Sequence, residues 1–440
     1  MKKKVHLNLF IQGRGHHEAG WRHPGAAGSP LTDIDELVAQ AELAELGTFD
    51  SIFLSDSLVL GEDAEFVATG GLEPVTALAA LARATTNIGL IATASTSYSD
   101  PYNLARQFAS LDHISHGRVG WNIVTSWAHN AGSQFGREQV DLERRYEQAD
   151  EFVQVTNALW DSWGDGAVII DVPSGRYLDR SRISKVDHIG EFYRVAGPLN
   201  IPRSPQGRPV LVQAGSSAPG RQFAGKYAEA VFTAHLNKSS AIEFFADVKG
   251  IASHYGRGTG DLLVLPGLNA AIAETDAAAK SLMEELNGLT SIDIGLRRLT
   301  RRFGGYNFSH LPLDQPLSVD DFPDPTTIQG AQSRTQSIVD LVAQERPTMR
   351  QILARLAGAR GHYSVSGCPE RIADIIIDWV ESGAADGFNV MPPVLPAQLH
   401  VFVDTVVPLL RRRGYFREAY EGSTLRSHFG LARPRNEFFS

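Results

Sequence analysis

Apolar and polar residues alternate from Val5 to Ile11. Val5, Leu7, Leu9 and Ile11 take one face and His6, Asn8 and Phe10 the other, which is the period of a strand. Further short apolar runs follow at Phe49 to Leu54, Ile88 to Ala94, Arg118 to Val124, Pro209 to Ala214, Ala230 to Ala234, Leu262 to Leu268 and Gly387 to Met391. Their aliphatic character suits strands buried on both faces, as in a parallel sheet. Between them lie segments whose apolar positions recur three and four apart. The clearest runs from Arg145 to Trp163, where Ala149, Phe152, Val153, Thr156, Leu159, Trp160 and Trp163 share one stripe. Other helices open at Thr32 or Asp33 and cover Val75 to Ala84, Tyr102 to Ile114, Ser239 to Ser253 and Ala397 to Arg412.

Strands that alternate with helices, without hairpin turns between them, imply a parallel sheet. Eight such units predict a closed (β/α)8 barrel, the TIM barrel, with the chain 1–440 as a single domain. An open doubly wound sheet is the alternative. It would normally bring a dinucleotide or nucleotide fingerprint, and neither G-x-G-x-x-G after the first strand nor G-x-x-x-x-G-K-S/T occurs. Two stretches break the repeat. Residues 164–206 are loop-rich, with Gly190 to Val195 read as a short strand. Residues 274–382 read as mostly helical, interrupted by FGGYNFSHLPLD and a Pro/Asp-rich patch at Asp320 to Pro325. Both insertions are expected to cover the C-terminal mouth of the barrel.

Composition narrows the partners. A net charge of −9 argues against nucleic acid or an anionic membrane surface. Cys368 is the only cysteine, so neither an intramolecular disulfide nor a cysteine zinc site is open to the chain. Met1-Lys-Lys-Lys4 resembles a signal-peptide head, yet His6 and Asn8 interrupt the apolar run behind it, and no apolar run reaches the length of a membrane span. A cytoplasmic location is expected.

In a barrel of this kind chemistry sits where strands end. The first strand leads to Gly13–Pro24 (GRGHHEAGWRHP) and the second to Asp56; the third carries Thr93 to Thr96 and the fourth Asn122 to Ser126. The fifth strand stops at Gly215-Ser216-Ser217 directly before a helix, so backbone N–H groups, two hydroxyls and the helix dipole converge where a phosphate would bind. The simpler explanation is that one serine only caps the helix. A metal centre is the competitor, because GHHE and Trp21-Arg22-His23 gather histidines. The H-x-H of metal-dependent barrels is missing, and the eighth strand ends in Met-Pro-Pro, so no metal is expected.

The segments VHLNLFIQGRGHHEAGWRHP, FDSIFLSDS, EPVTALAALARAT, IGLIATAST and HGRVGWNIVTS resemble the bacterial-luciferase-like flavin monooxygenases. More narrowly they are similar to the branch with nitrilotriacetate, EDTA, dibenzothiophene-sulfone and long-chain alkane monooxygenases. RYEQADEFVQVTNALWDSW, GPLNIPRSPQGRPVLVQAGSSAPGRQFA, YAEAVFTA, SGCPERIAD and DGFNVMPP continue the match in order.

That resemblance implies a (β/α)8 barrel. It also implies reduced FMN supplied by a separate NAD(P)H:flavin reductase, O2 as co-substrate, a peroxyflavin and a small organic, xenobiotic-type substrate. By motif, Asp56, Thr93, Asn122 and Val124 would lie against the flavin ring, and Gly215, Ser216, Ser217, Arg145 and Tyr146 would hold its phosphate. A solvated helix end is the plain alternative for Arg145 in Glu143-Arg144-Arg145, but the phosphate role is preferred because arginine supplies a bidentate charge there. His16, His17 and Tyr306 are the candidate catalytic or substrate-side residues, a histidine being able to donate a proton near neutral pH. A structural hydrogen bond is the plain alternative for His16 or His17. Asn307 stands where relatives more often carry Asp. A homodimer or homotetramer is implied. A deazaflavin-dependent hydride-transfer enzyme and a non-catalytic flavin-binding relative are the alternatives.

Overall fold

The structure, a computed structural model, describes residues 2–61, 63–126, 130–138, 142–328 and 332–439. Strands β1 (His6–Ile11), β2 (Ser51–Leu54), β3 (Gly89–Ser95) and β4 (Val119–Val124) alternate with helices α1 (Ile34–Leu46), α2 (Pro74–Ala84) and α3 (Pro101–Ile114), and α4 (Leu142–Asp161) follows β4. Two hairpins come next: β5 (Val168–Asp171) with β6 (Arg176–Leu178), and β7 (His188–Ile189) with β8 (Arg194–Val195). The repeat resumes with β9 (Val210–Gln213), α5 (Ala218–Tyr227), β10 (Ala230–Thr233), α6 (Lys238–His254) and β11 (Leu263–Ile272). The second insertion holds α7 (Asp276–Gly288), α8 (Ile292–Arg302), α9 (Gln332–Glu345), α10 (Met349–Ala359) and β12 (Tyr363–Gly367). Then come α11 (Pro369–Glu381), β13 (Gly387–Val390), α12 (Ala397–Val401) and, after a π-helical turn, α13 (Val407–Arg412); α14 (Leu425–His428) lies near the C-terminus.

Every pairing in the main sheet is parallel. The order β10-β9-β4-β3-β2-β1-β13-β11 closes because β10 also pairs with β11, Phe232 lying beside Leu265. This is the eight-stranded barrel that the sequence pattern predicts. Two details differ from the sequence pattern. Gly190 to Val195 is the turn and second arm of a hairpin rather than one strand. The 274–382 stretch contains β12, which continues along the edge of β11 where β10 ends, Leu268 to Ile272 beside Tyr363 to Gly367.

Strand residues pointing outward pack against the helices in the largest core. Phe10, Phe53, Ile91, Val210, Val212, Phe232, Leu263 and Leu265 fill the barrel itself. Leu425 and Phe429 close its N-terminal end, with the Phe429 ring edge-on to His6 at 5.7 Å. Burying those two side chains contributes on the order of 3–6 kcal/mol. The first insertion reaches the mouth near β7–β8, where Tyr193 donates to the Thr96 carbonyl at 3.4 Å. Its remainder runs down the flank to Gln206, whose amide donates to the Val119 carbonyl at 2.7 Å. The second insertion reaches the loop after β1: Glu18 N–H donates to Ala357 O at 2.9 Å.

Candidate active site

The floor of the C-terminal mouth is aromatic. Phe10, Phe53 and Phe232 meet with ring centroids 4.9 to 5.6 Å apart. Two imidazoles lie on this floor. His16 sits edge-on to Phe10 at 6.0 Å, and its backbone N–H donates to Pro392 O at 2.8 Å. His362 stacks on Phe232 at 4.9 Å with the planes 10° apart, and meets His16 edge-on at 5.5 Å. The backbone explains why His16 is held there. Gly15 adopts φ +123° and lies against Pro393 so closely that a methyl group on it would be 2.2 Å from the Pro393 carbonyl oxygen.

His17 faces away from this pair. Its Nδ1 accepts from Ala19 N–H at 3.1 Å, so the ring proton is on Nε2, which donates to Asn287 Oδ1 at 3.2 Å. Burial lowers its pKa to about 4. His235, after β10, is likewise lowered to about 4 by burial, its ring nitrogens set between Thr233 and Ser240 at 3.0 and 3.1 Å. Both stay neutral in the folded protein while the unfolded chain protonates near pH 6.5. Stability is therefore complete above pH 6.5 and falls as pH drops towards about 4, by up to ~3 kcal/mol per histidine. Urea unfolding at about pH 7.5 and about pH 5 should show the midpoint falling in acid, and His17→Asn should remove part of that fall. A wild-type midpoint that does not move would contradict the assignment.

One wall of the mouth is polar because β3 and β4 bring their inward residues into register, Thr93 beside Asn122 and Ser95 beside Val124. Thr93 Oγ1 donates to Leu54 O at 2.8 Å and accepts from Asn122 Nδ2 at 2.9 Å. Asn122 Oδ1 is then buried with no donor among the described residues, and so is Gln213 Oε1 at the end of β9. Asp56 lies on the rim, its Oδ1 accepting from Ser57 N–H at 2.8 Å; desolvation, with the nearby Glu73 charge, raises its pKa.

The turn after β9 joins α4 and α5. Ser217 Oγ accepts from Gly220 N–H at 3.2 Å, so this serine does cap α5, as the simpler explanation held. Ser216 lines a cleft beside it, and its carbonyl accepts from Arg221. A methyl on Gly215 would lie 3.0 Å from the Tyr146 hydroxyl and one on Gly220 2.9 Å from it, so Tyr146 OH points directly into the turn. Arg145 sends Nη1 to Ser126 O at 3.0 Å, while its buried Nε has no partner among the described residues. Glycines that leave room, a hydroxyl, a helix N-terminus and a guanidinium edge form a donor set suited to a phosphate, and the orphaned acceptors of Asn122 and Gln213 suit the N–H groups of a polar ring. Gly215, Ser217 and Tyr146 are thus brought together; Thr93 and Asn122 form a second group with Val124, and His16 a third.

Tyr306 lies within the insertion's own small core, its ring 4.8 Å from Phe308 and 6.2 Å from His310. The cleft beside Ser216, about 410 Å³, is roofed by that insertion through Arg302, Ser337, Ile338 and Leu356 and floored by Phe232 and His362. The sequence pattern alone did not single out His362 and Gln213. The signal for His362 was the alternation of Tyr363 and Val365 with Ser364 and Ser366, which marks the strand that it precedes. Among the described residues no three His, Cys, Asp or Glu side chains gather as metal ligands would, and no helix is long and apolar enough to cross a membrane.

Fold and site define a barrel enzyme with its centre at the C-terminal ends of the strands. Residues 11–386 match the model of the luciferase-like monooxygenase family, and the chain belongs to that family. It is 42% identical to N-acetyl-S-(2-succino)cysteine monooxygenase from Bacillus subtilis (strain 168) over 438 residues, 99% of each chain. It is 45% identical to nitrilotriacetate monooxygenase component A from Aminobacter aminovorans, over 99% of this chain and 98% of that one. Among solved structures it is similar to riboflavin lyase, determined with modified FMN and the substrate riboflavin. The TM-score is 0.86 at 31% identity, covering 98% of this chain and 97% of that one. The protein is a monooxygenase.

Proposed function

We propose that the enzyme is the oxygenase of a two-component system, taking reduced FMN from a separate NAD(P)H:flavin reductase and using O2 to oxidise a small organic molecule. The carrying observation is the pair of facing features at the mouth: buried acceptors on Asn122 and Gln213 that have no donor among the described residues, and the Gly215–Ser217 turn with Tyr146 and Arg145. Thr93, Asn122, Val124 and Asp56 would border the ring, and Gly215, Ser216, Ser217, Arg145 and Tyr146 would hold the phosphate. Reduced FMN, when bound, supplies the electrons that activate O2. His16 would hold or donate a proton beside the substrate, whereas His17 fixes the loop through Ala19 and Asn287. The second insertion excludes water from the centre, which suits a reaction that water would divert.

The cleft carries charge of both signs, Arg302 and Glu243 together with the paired Arg221 and Asp247. A polar substrate bearing carboxylates, in keeping with the two relatives named above, fits this lining better than an alkane. Assembly as a homodimer or homotetramer belongs to the same reading. Mixing oxygen with the protein carrying photoreduced FMN should give a slowly decaying absorbance transient unlike reduced or oxidised FMN. Substrates would then be found by their effect on its decay. Oxidation that follows the time course of free reduced FMN would reject the reading.

A further inference from the structure

The loops after β1 and β2 are tied to the second insertion by one guanidinium. Arg298, on α8, is ion-paired with Glu18 of the loop after β1, and its Nε donates to Asp63 Oδ2 of the loop after β2 at 2.9 Å. Arg301, one turn further along α8, donates to the same Asp63 oxygen at 2.9 Å. The side chains of Glu18, Asp63 and Arg298 are 14 to 22% exposed, so the charges are only partly hydrated, and the two arginines hold Asp63 below the ordinary carboxylate pKa against its desolvation. Water screens such pairs less than surface ones. The same loops carry the site. His16 and His17 immediately precede Glu18, and His17 is itself bonded to Asn287 at the end of α7. Beside the ion pairs opens a cleft of about 800 Å³, lined by Asp63, Phe66, Asp293, Leu296, Arg297 and Asn307 among others, with α8 as one wall and the loop after β2 as another.

We propose that Arg298 is a positioning residue that clasps α8 to two separate strand-end loops, and that release of this clasp opens the passage by which flavin and substrate reach the mouth. A planar guanidinium suits this task, because its fork meets two carboxylates from two directions where an ammonium would serve one. The clasp closes the insertion over the His16 loop. When it opens, α8 and the loop after β2 separate along the cleft that already lies between them. The passage claim rests on the flavin reading above; the clasp itself does not.

Hydrogen–deuterium exchange on the flavin-free protein tests the clasp directly. Arg298→Gln should raise exchange in residues 13–24, 63–72 and 289–302 and leave the barrel strands unchanged, with Arg298→Lys intermediate. Glu18→Gln and Asp63→Asn, which leave α8 intact, should each give the same localised map if the Arg298 variant folds poorly. Stopped-flow binding of FMN then tests the passage. Its association and dissociation rates should both rise about tenfold, with Kd changed less than about twofold, since a gate alters rates rather than the bound state. An exchange map identical to the wild type in all three variants overturns the clasp, and so does a rise spread evenly over the barrel. Localised exchange with unaltered FMN rates overturns the passage. A protein that binds no FMN overturns the flavin reading and the passage together, while the exchange map still decides the clasp.

Discussion

Gly15→Ala should leave a folded barrel that binds FMN with nearly wild-type affinity and loses at least ~100-fold in its single-turnover reaction with O2 and substrate. The reason is local. A methyl group at this position meets the Pro393 carbonyl oxygen at 2.2 Å, its carbon at 2.6 Å and Val394 Cα at 2.8 Å, all backbone atoms that no rotamer change can move. The φ of +123° is also one that an L-residue rarely adopts. The loop must therefore lift away from Pro393, and two hydrogen bonds go with it, His16 N–H to Pro392 O and Leu395 N–H to Arg14 O, at 2.8 and 3.1 Å. His16 then leaves Phe10 and His362. Strain and lost bonds together should cost about 2–4 kcal/mol in urea unfolding. The phosphate turn is built from β9, α4 and α5, none of which touches this loop through the bonds named here, so FMN affinity is the internal control. If affinity and turnover fall together, the loop shapes the flavin pocket as well. If turnover survives, His16 does not act where we place it.

What the sequence disclosed depended on how local each signal was. The barrel strands announced themselves because buried parallel strands read as aliphatic runs, visible in Val210-Leu211-Val212 or Leu262-Leu263-Val264-Leu265 without knowing their neighbours. The turn at Gly215–Ser217 was legible for the same reason: strand, glycine, hydroxyls and helix lie within a few residues of one another. Strand β12 was hidden because five alternating residues come after a long helical stretch, and with it went His362. Arg298 could not have been singled out. Arg297-Arg298-Leu299-Thr300-Arg301-Arg302 reads as the solvated face of a helix, and its partner Asp63 lies 235 residues away. Its bridging of Glu18 and Asp63 sets Arg298 apart, and only the fold brings those two carboxylates to it. The β5–β6 hairpin between α4 and β9 was missed on different grounds. Ile169, Ile170, Val172 and Tyr177 are exposed, so their apolar pattern records no core face.

Arg145 shows where such ambiguity can be resolved by experiment. In Glu143-Arg144-Arg145 the sequence offered two roles, phosphate ligand, which the bidentate charge of arginine favours, or solvated helix end, and the structure divides the pair. Arg144 is exposed and ion-paired with Glu191, which is the solvated role. Arg145 is partly buried, gives Nη1 to Ser126 O and keeps Nε buried with no partner among the described residues. An unpaired buried guanidinium N–H is costly, so a charged acceptor at that edge is gained at full strength. Arg145→Met, which keeps the length of the stem, should weaken FMN binding about 10- to 100-fold, the range of a charge-assisted pair, and leave riboflavin binding unchanged because riboflavin has no phosphate. Raising the salt should weaken FMN binding in the wild type and have less effect in the variant. Fluorescence titration with both flavins reads all of this in one series. Equal losses for FMN and riboflavin would mean that Arg145 acts only by holding Ser126 and the end of β4, and the phosphate would then rest on Tyr146 and the Gly215–Ser217 turn alone.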